Sequence, residues 1–569
     1  MATSEKLPIE APSASAADSV KEKNEHLEGI KLFAIVGCLT FAGFLLMLDE
    51  SVISTAIPKI TTDFHSLNDV GWYGTSYLLT NCALQPLSGK IYGQFNIKWT
   101  FLAFFFIFEL GSALSGAAQS SNMLITGRAV AGIGGSGLLN GAYGIIHRIA
   151  PLEKQPLLLG IVIGISLLGI LSGPLIGGLL TEFVSWRWCF YINLPCGAVA
   201  AALILLISIP GNKGTADLSV TQKIRKLDLI GFFFFAPAIM MLIFALEWGG
   251  IMYAWNSSRI IGLFCGSGVT LMVFVAWEHR MAADAMIPLS IIGRRVIWSS
   301  CLYMFFFIGS ALTAIYYLPL YFQAVRNASP TMSGVDLLPS ILATAIFSIV
   351  TGGLVERVGY YLPFAILGSI LATLGQGLSS TFDPKTSIGI WIGYQIIMSA
   401  GRGMGFQMPI VAVQNHSTKE EISVVNALVV FAQYLGGAVF LSLDEIIFSS
   451  SLRHYIKIYA PEIDPQVIID AGASGIRKAV PAASLSGVVL AYSKSVDRAL
   501  YLGTGAAGIG LLFCFGMGWT NIKTKAEAEK LEKLAKADKE KTEKSEKFER
   551  FDSLEKPVDG SQTAGNSST

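Results

Sequence analysis

Windows of about twenty mainly apolar residues, the length that carries an α-helix across a hydrocarbon core, recur along nearly the whole chain. They fall near 30–57, 71–92, 99–118, 123–146, 157–181, 187–209, 228–248, 260–277, 297–323, 334–355, 361–380, 387–412, 423–447 and 499–520, fourteen in all. Lipid offers a backbone no hydrogen bonds, so runs of this length must satisfy their own as helices. The sequence therefore predicts an all-α polytopic membrane protein. Lys523–Asp559 alone holds eleven Lys/Arg and eleven Asp/Glu, which leaves the apolar body even barer of charge than the composition implies. A net charge of +1 argues against a nucleic-acid partner. There is no P-loop to hydrolyse a nucleotide, and the histidines are too isolated for an acyltransferase or desaturase. The seven cysteines lack ligand spacing and read as small core residues. No enzyme, metal or cofactor is expected.

An even number of spans puts both termini on one side. The loops holding Lys90, Lys98, Arg148, Lys154, Lys213, Lys223, Arg225, Lys226, Arg280, Arg294 and Arg295 lie on that same side, which the positive-inside rule makes cytoplasmic. Residues 1–29 read as a disordered cytoplasmic leader to an uncleaved first span, and 521–569 as a solvated, charged cytoplasmic tail. Residues 448–497 mix Pro, Gly and Ser with short apolar stretches and are expected to form an extracellular loop folded as a lid. Asn256 and Asn327 head glycosylation triplets placed outside, and Asn415 heads one placed inside.

The run Gly164–Leu180 is uncharged and carries Gly169, Gly173, Pro174, Gly177 and Gly178. Glycines four apart let a second membrane helix approach closely, and the proline frees a carbonyl and bends the helix. A faint repeat joins Gly352–Gly359 (GGLVERVG) to Gly89–Asn96 (GKIYGQFN), turns at matching positions of two six-span halves, 30–209 and 297–520. The linker 210–296 holds the two inserted spans.

With these features, Leu48–Pro58 (LDESVISTAIP) is similar to a first-span pattern L-D-x-T-I-V-N-x-A-L-P. Gly127-Arg128 with Gly132, Gly134 and Gly135 is similar to R-x-x-x-G-x-G-G, and Trp186–Pro195 to W-R-W-x-F-x-I-N-x-P. Gly352–Gly359 matches G-x-L-x-[DE]-R-x-G, and Tyr317–Gln323 with Ser329–Pro339 has a fungal stamp. In order and spacing these motifs resemble a fourteen-span major facilitator of the drug:proton antiporter type, most like fungal pumps for toxins and other secondary metabolites. The resemblance implies two six-helix halves plus two inserted spans. It implies a proton-coupled, alternating-access exporter of a hydrophobic or amphipathic molecule, a monomer in the plasma membrane. A vacuolar or plasma-membrane carrier for amino acids or other metabolites, and a transporter-like receptor or scaffold, are the rival readings.

Intramembrane charges are costly, about 2.5–3.5 kcal/mol each on insertion scales, so each points to function. Asp49 lies deep in the first span and Arg128 a few residues into the fourth, at matching depth. They are expected to pair, with Asp49 taking the coupled proton and releasing Arg128; a permanent ion pair or helix cap is the alternative. Glu109, mid-way along the third span, reads either as a protonated carboxyl facing the cavity or as an acid bonded to a neighbouring helix. Arg402 reads as a contact for an anionic substrate or as snorkelling to the cytoplasmic face. Glu247, Asp444 and Glu445 are expected near solvated outer ends. Asn81, Gln85, Asn140, Tyr317, Gln323 and Gln407 are candidates to line the substrate cavity.

Overall fold

The computed structural model describes residues 29–528, apart from 67–68, 208, 210–218 and 251, and scattered positions of the tail as far as 542. Nearly all of the expected leader 1–29 therefore lies outside the described residues. The helices run in the order α1 (Ile30–Phe64), α2 (Val70–Gln94), α3 (Ile97–Gly116), α4 (Ser121–Ile149), α5 (Gln155–Phe183), α6 (Trp188–Tyr191) and α7 (Asn193–Leu206). A short α8 (Val220–Arg225) precedes α9 (Leu229–Trp248), α10 (Ser258–Met281) and α11 (Leu289–Ile292). There follow α12 (Arg295–Leu320), α13 (Pro330–Asp336), α14 (Leu338–Val358), α15 (Leu362–Ser379), α16 (Ile388–Gly405), α17 (Met408–Asn415), α18 (Ile422–Tyr459), α19 (Pro465–Ala479) and α20 (Ala482–Cys514). All belong to one compact unit, His26–Asn521; beyond it, residues 522–528 are helical.

Among the described residues twelve helices are long and apolar enough to cross a membrane. That is two fewer than the apolar windows predict. The two outside that set, α2 and α20, are 25 and 33 residues long but more polar. Residues 448–497, expected as a loop, are mostly helix: α18 runs on to Tyr459 and α20 begins at Ala482, with α19 between them. Hydropathy falls there, but the helical burial rhythm does not: Phe448, Leu452 and Ile456 are buried at i, i+4 spacing in one cluster with Val488, Tyr492 and Val496 of α20. Asp444 is accordingly not at a solvated end. It is fully buried mid-way along α18 and accepts a hydrogen bond from Thr313 of α12 at 2.6 Å.

The glycine-proline run packs α5 against α1. A Cβ at Gly169 would lie 2.5 Å from the Phe44 carbonyl oxygen, one at Gly177 would lie 2.7 Å from that of Val52, and one at Gly173 would overlap the Ser51 hydroxyl. Gly178 faces open space, and α5 continues through Pro174 as one helix. The inserted α9 and α10 form a hairpin. Ser267 donates to the Ala238 carbonyl at 2.7 Å, and α9 sets Phe244 and Trp248 against Trp72 of α2 and Phe235 against Phe431 of α18.

Close contacts along the helices, Gly169 to Phe44 and Gly177 to Val52, Gly352 to Pro156, Gly89 and Asn140 to Ser423, and Gly160 to Gln407, place the start of α1 at one face, here the terminal face, with the ends of α2, α4 and α14, with α17, and with the starts of α5 and α18. Gly134–Ile146 of α4, Met408–Asn415 and Ile422–Val430 are buried on every side at that face. Residues from the two halves meet there backbone to backbone. A Cβ at Gly89 would lie 2.8 Å from the Ser423 carbonyl oxygen, one at Gly352 2.5 Å from that of Pro156, and one at Gly164 2.8 Å from that of Ala345. Towards the opposite face the same helices open. Along one side of α1, Val36, Leu39, Gly43, Leu46 and Met47 are buried, whereas Glu50 and Ile57 are half-buried and Ser54 and Pro58 exposed. On α4 the outer positions Asn122, Thr126, Ala129, Val130 and Ile133 form a similar stripe. The bundle is sealed at the terminal face and open at the other.

One surface clasp lies at the sealed face. Arg294, ahead of α12, donates from Nη1 and Nη2 to the two carboxylate oxygens of Glu421, ahead of α18, at 2.8 and 2.6 Å. The guanidinium holds the Glu421 carboxyl below its ordinary range. A group with a depressed folded pKa contributes stability above its unfolded value, about 4.3, and loses it as pH falls through the folded value. Arg294→Ala should therefore lower thermal stability slightly at neutral pH, by less than about 1 kcal/mol for so exposed a pair, and not in strong acid. Melting curves of both proteins at neutral and acid pH check this; a gap that widens in acid would contradict it.

Candidate functional site

The centre of the first half is built on a buried stripe of α1, in which Asp49, Val52, Ile53, Ala56 and Ile60 face inward. Asp49 has no exposed surface and Arg128 of α4 has 1%. Arg128 donates from Nη1 to Asp49 Oδ2 at 2.5 Å and from Nε to the Tyr73 carbonyl at 3.2 Å. Its guanidinium carbon lies 4.6 Å from the centre of the Tyr77 ring and 5.8 Å from that of Phe190. The other carboxylate oxygen is also taken, accepting from Asn193 Nδ2 at 2.9 Å; the same amide lies 3.2 Å from the Ser112 hydroxyl. A charge-assisted bond on one oxygen and an amide bond on the other keep both charges satisfied away from water.

Local sequence explains how these groups meet. The glycines after Arg128 let α4 lie hard against its neighbours: a Cβ at Gly134 would lie 2.6 Å from Phe108 Cα of α3, and one at Gly132 would overlap the Tyr77 carbonyl and the Thr80 hydroxyl of α2. Trp186 Nε1 donates to Asp63 at the end of α1 at 2.9 Å, and its ring meets Phe64 edge-on. Arg187 donates to the Ala118 carbonyl at 2.8 Å and stacks over Trp186. The segment is thereby pinned so that α7 starts with Asn193 pointing at Asp49.

The other candidates are dispersed. Both carboxylate oxygens of Glu109 are buried without a hydrogen-bond partner among the described residues, and the group sits over Gly197 of α7, where a Cβ would collide with it. Gln85 donates to Asn81 at 2.9 Å within α2. Asn140, with its amide turned to satisfy both ends, donates to the Ser423 carbonyl and accepts from Ser88, and so lies in the seam between halves. Gln407 lies there too, donating to the Ser348 carbonyl of α14 at 3.0 Å. Arg402 does not snorkel: it is 6% exposed and donates to Gln376 at 2.7 Å and to the Ser310 carbonyl at 3.1 Å, inside the second half. The flanking glycines remove the bulk that would push it out; a Cβ at Gly403 would collide with the Thr344 carbonyl. Tyr317 reaches Glu445 at 3.3 Å and Gln323 reaches Ser333 at 3.0 Å, both towards the open face. Asn256 lies in an exposed turn ahead of α10, and Asn327 is exposed with φ 60°. Asn415 is buried and donates to Thr520 at 2.9 Å. Sequence reasoning assigned no role to Asn193, Tyr73, Tyr77 or Glu50. Asn193 lies inside the W-R-W-x-F-x-I-N-x-P motif, and Glu50 beside Asp49 in a stretch, Leu32–Pro58, with no other charge.

The profile described as Major Facilitator Superfamily matches residues 39–441. The chain belongs to that superfamily. This facilitator is 51% identical over 518 residues to a protein named efflux pump mlcE from Penicillium citrinum, covering 89% of this chain and 94% of that one. It is 52% identical to MFS-type transporter pigP from Monascus ruber, covering 87% of each. Among solved structures, a proton:xylose symporter bound to 6-bromo-6-deoxy-D-glucose superposes with a TM-score of 0.55 over 88% of this chain and 98% of that one, at 15% identity. The human organic anion transporter MFSD10 does so with 0.53 over 86% of this chain and 100% of that one, at 12% identity. At such identities the structures speak to the fold alone. The facilitator is thus a multi-pass membrane transporter.

Proposed function

We propose that this facilitator is a proton-coupled exporter of a hydrophobic or amphipathic small molecule, a drug, toxin or secondary metabolite, working by alternating access. The names of its relatives support export. The observation that carries the mechanism is a bundle closed by close-packed glycines at one face and open at the other, with a buried opposite-charge pair at the base of the opening. In this reading α2 and α20 also span, making fourteen crossings of a monomer in the plasma membrane. The terminal face and both termini are cytoplasmic, and the structure is the outward-facing state. Asn256 and Asn327 then stand outside as glycan acceptors. The substrate binds between the halves, and the seam at Gly89, Gly160, Gly164 and Gly352 opens when the outer side closes.

Cells lacking the protein should retain more of the exported compound, and inside-out vesicles should take it up when their interior is made acidic. A protonophore should abolish that uptake. Unchanged retention across a broad metabolite panel, or uptake indifferent to the protonophore, would refute proton-driven export.

A further inference from the structure

Two adjacent carboxylates on α1 live in opposite circumstances. Asp49 has both oxygens bonded, to Arg128 and to Asn193, and no surface. Glu50, one residue on and so about 100° around the helix, is half-buried and has no hydrogen bond or ion pair among the described residues. It sits on the side of α1 where burial gives way to exposure, level with the base of the opening between the halves, and its neighbour Ser54 one turn outward is exposed.

Titratable groups within electrostatic reach of Glu50 come from both halves. Tyr77 of α2, Tyr434 of α18 and Tyr316 of α12 lie within reach of its charge. Asp49 on its own helix and Arg128 of α4 act on it as well. α5 brings no titratable side chain to this level, and α7 brings only Cys196. No hydrogen bond or ion pair among the described residues holds this carboxylate in place. It can gain or lose a proton without breaking the helix contacts around it, which Asp49 cannot do.

Resting on the export reading above, we infer that Glu50 is the carboxylate that exchanges the coupled proton, and that Asp49, Arg128 and Asn193 are positioning residues that fix α1. With the outer side open, the Glu50 carboxylate takes a proton from outside water, an oxygen lone pair forming the O–H bond. After the bundle reopens at the terminal face, that bond breaks to water there, and the electron pair stays on the carboxylate. Substrate enters the space between the halves as the proton leaves.

The test uses the full chain in liposomes, with Ser54→Cys as a reporter and the exposed Cys265 replaced by serine. A membrane-impermeant maleimide reports how open the outer side is at acid and at alkaline pH. The labelling rate is expected to change with pH in the reporter protein, to lose that change in Glu50→Gln, and to keep it in Asp49→Asn. Infrared difference spectra over the same titration should lose one carboxyl in Glu50→Gln and none in Asp49→Asn. Glu50→Asp should restore both signals. Persistence of the pH response in Glu50→Gln, or its loss in Asp49→Asn with Glu50 intact, would overturn the assignment to Glu50 and leave proton-coupled export standing. Labelling indifferent to pH in the reporter protein itself would instead bring down the proton-coupled reading.

Discussion

Arg128→Ala should destabilise the detergent-extracted protein by about 3–5 kcal/mol, because it removes the partner of a fully buried carboxylate, Asp49. The loss has three parts: the ion pair, the bond to the Tyr73 carbonyl, and the packing of the guanidinium on Tyr77. Asp49→Asn should cost less, since the amide still accepts from Asn193. Combining the two changes should recover part of the damage, a non-additivity that a double-mutant cycle reads directly. Melting temperatures of the four proteins, followed by size-exclusion profile after heating, measure it. Strict additivity, or a loss for Arg128→Ala no larger than a surface substitution gives, would mean that the pair is not what holds α1, α4 and α7 together.

The second large effect is expected at the seam. A Cβ at Gly352 would lie 2.5 Å from the Pro156 carbonyl oxygen and 2.8 Å from Leu157 Cα, so a side chain there meets backbone that cannot step aside. On the proposed alternating-access reading, Gly352→Leu should hold the terminal face apart and shift the population away from the form that is open at the opposite face. Maleimide labelling at Ser54→Cys should slow by at least about tenfold, which needs only about 1.4 kcal/mol of differential strain. Gly178→Leu is the matched control, because a Cβ at Gly178 meets nothing. Equal labelling in Gly352→Leu and Gly178→Leu would show that the seam does not govern the opening.

Which parts of this architecture could be read beforehand follows from physics that is local or not local. The twelve most apolar spans were legible because crossing lipid imposes a length and an apolar composition on each segment separately. Asp49 and Arg128 were legible because a buried charge is rare and needs an opposite at its own depth. The glycine run was legible as a packing face, but its partner, α1, was not, since spacing says that a helix approaches and not which one. Asn193 escaped notice because an amide carries no cost signal strong enough to mark it. Glu50 was not legible because sequence alone cannot tell which of two adjacent acids on a helix is paired and which is not. The helical course of 448–497 was hidden by Pro461, Gly472 and Pro481, which punctuate the segment and look like loop, although each lies between helices or at a kink. Of the two readings of Arg402, snorkelling rests on the reach of a long basic side chain; the glycine bed that retains it is visible only once α14 and α16 are set side by side.

At 38 residues, α18 is about 57 Å long, nearly twice a hydrocarbon core of about 30 Å. Its outer part, with α19 and the start of α20, is therefore a rigid outcrop rooted in the second half alone, through a cluster whose members all come from that half. On the proposed alternating-access reading, such an outcrop would turn with its own half and exaggerate a small tilt at the membrane into a larger displacement beyond it. An antibody fragment raised against Tyr455, Tyr459 and the exposed side of α19 would grip one half without touching the other. It would give single-particle images a pointer whose angle reports the state of the transporter molecule by molecule.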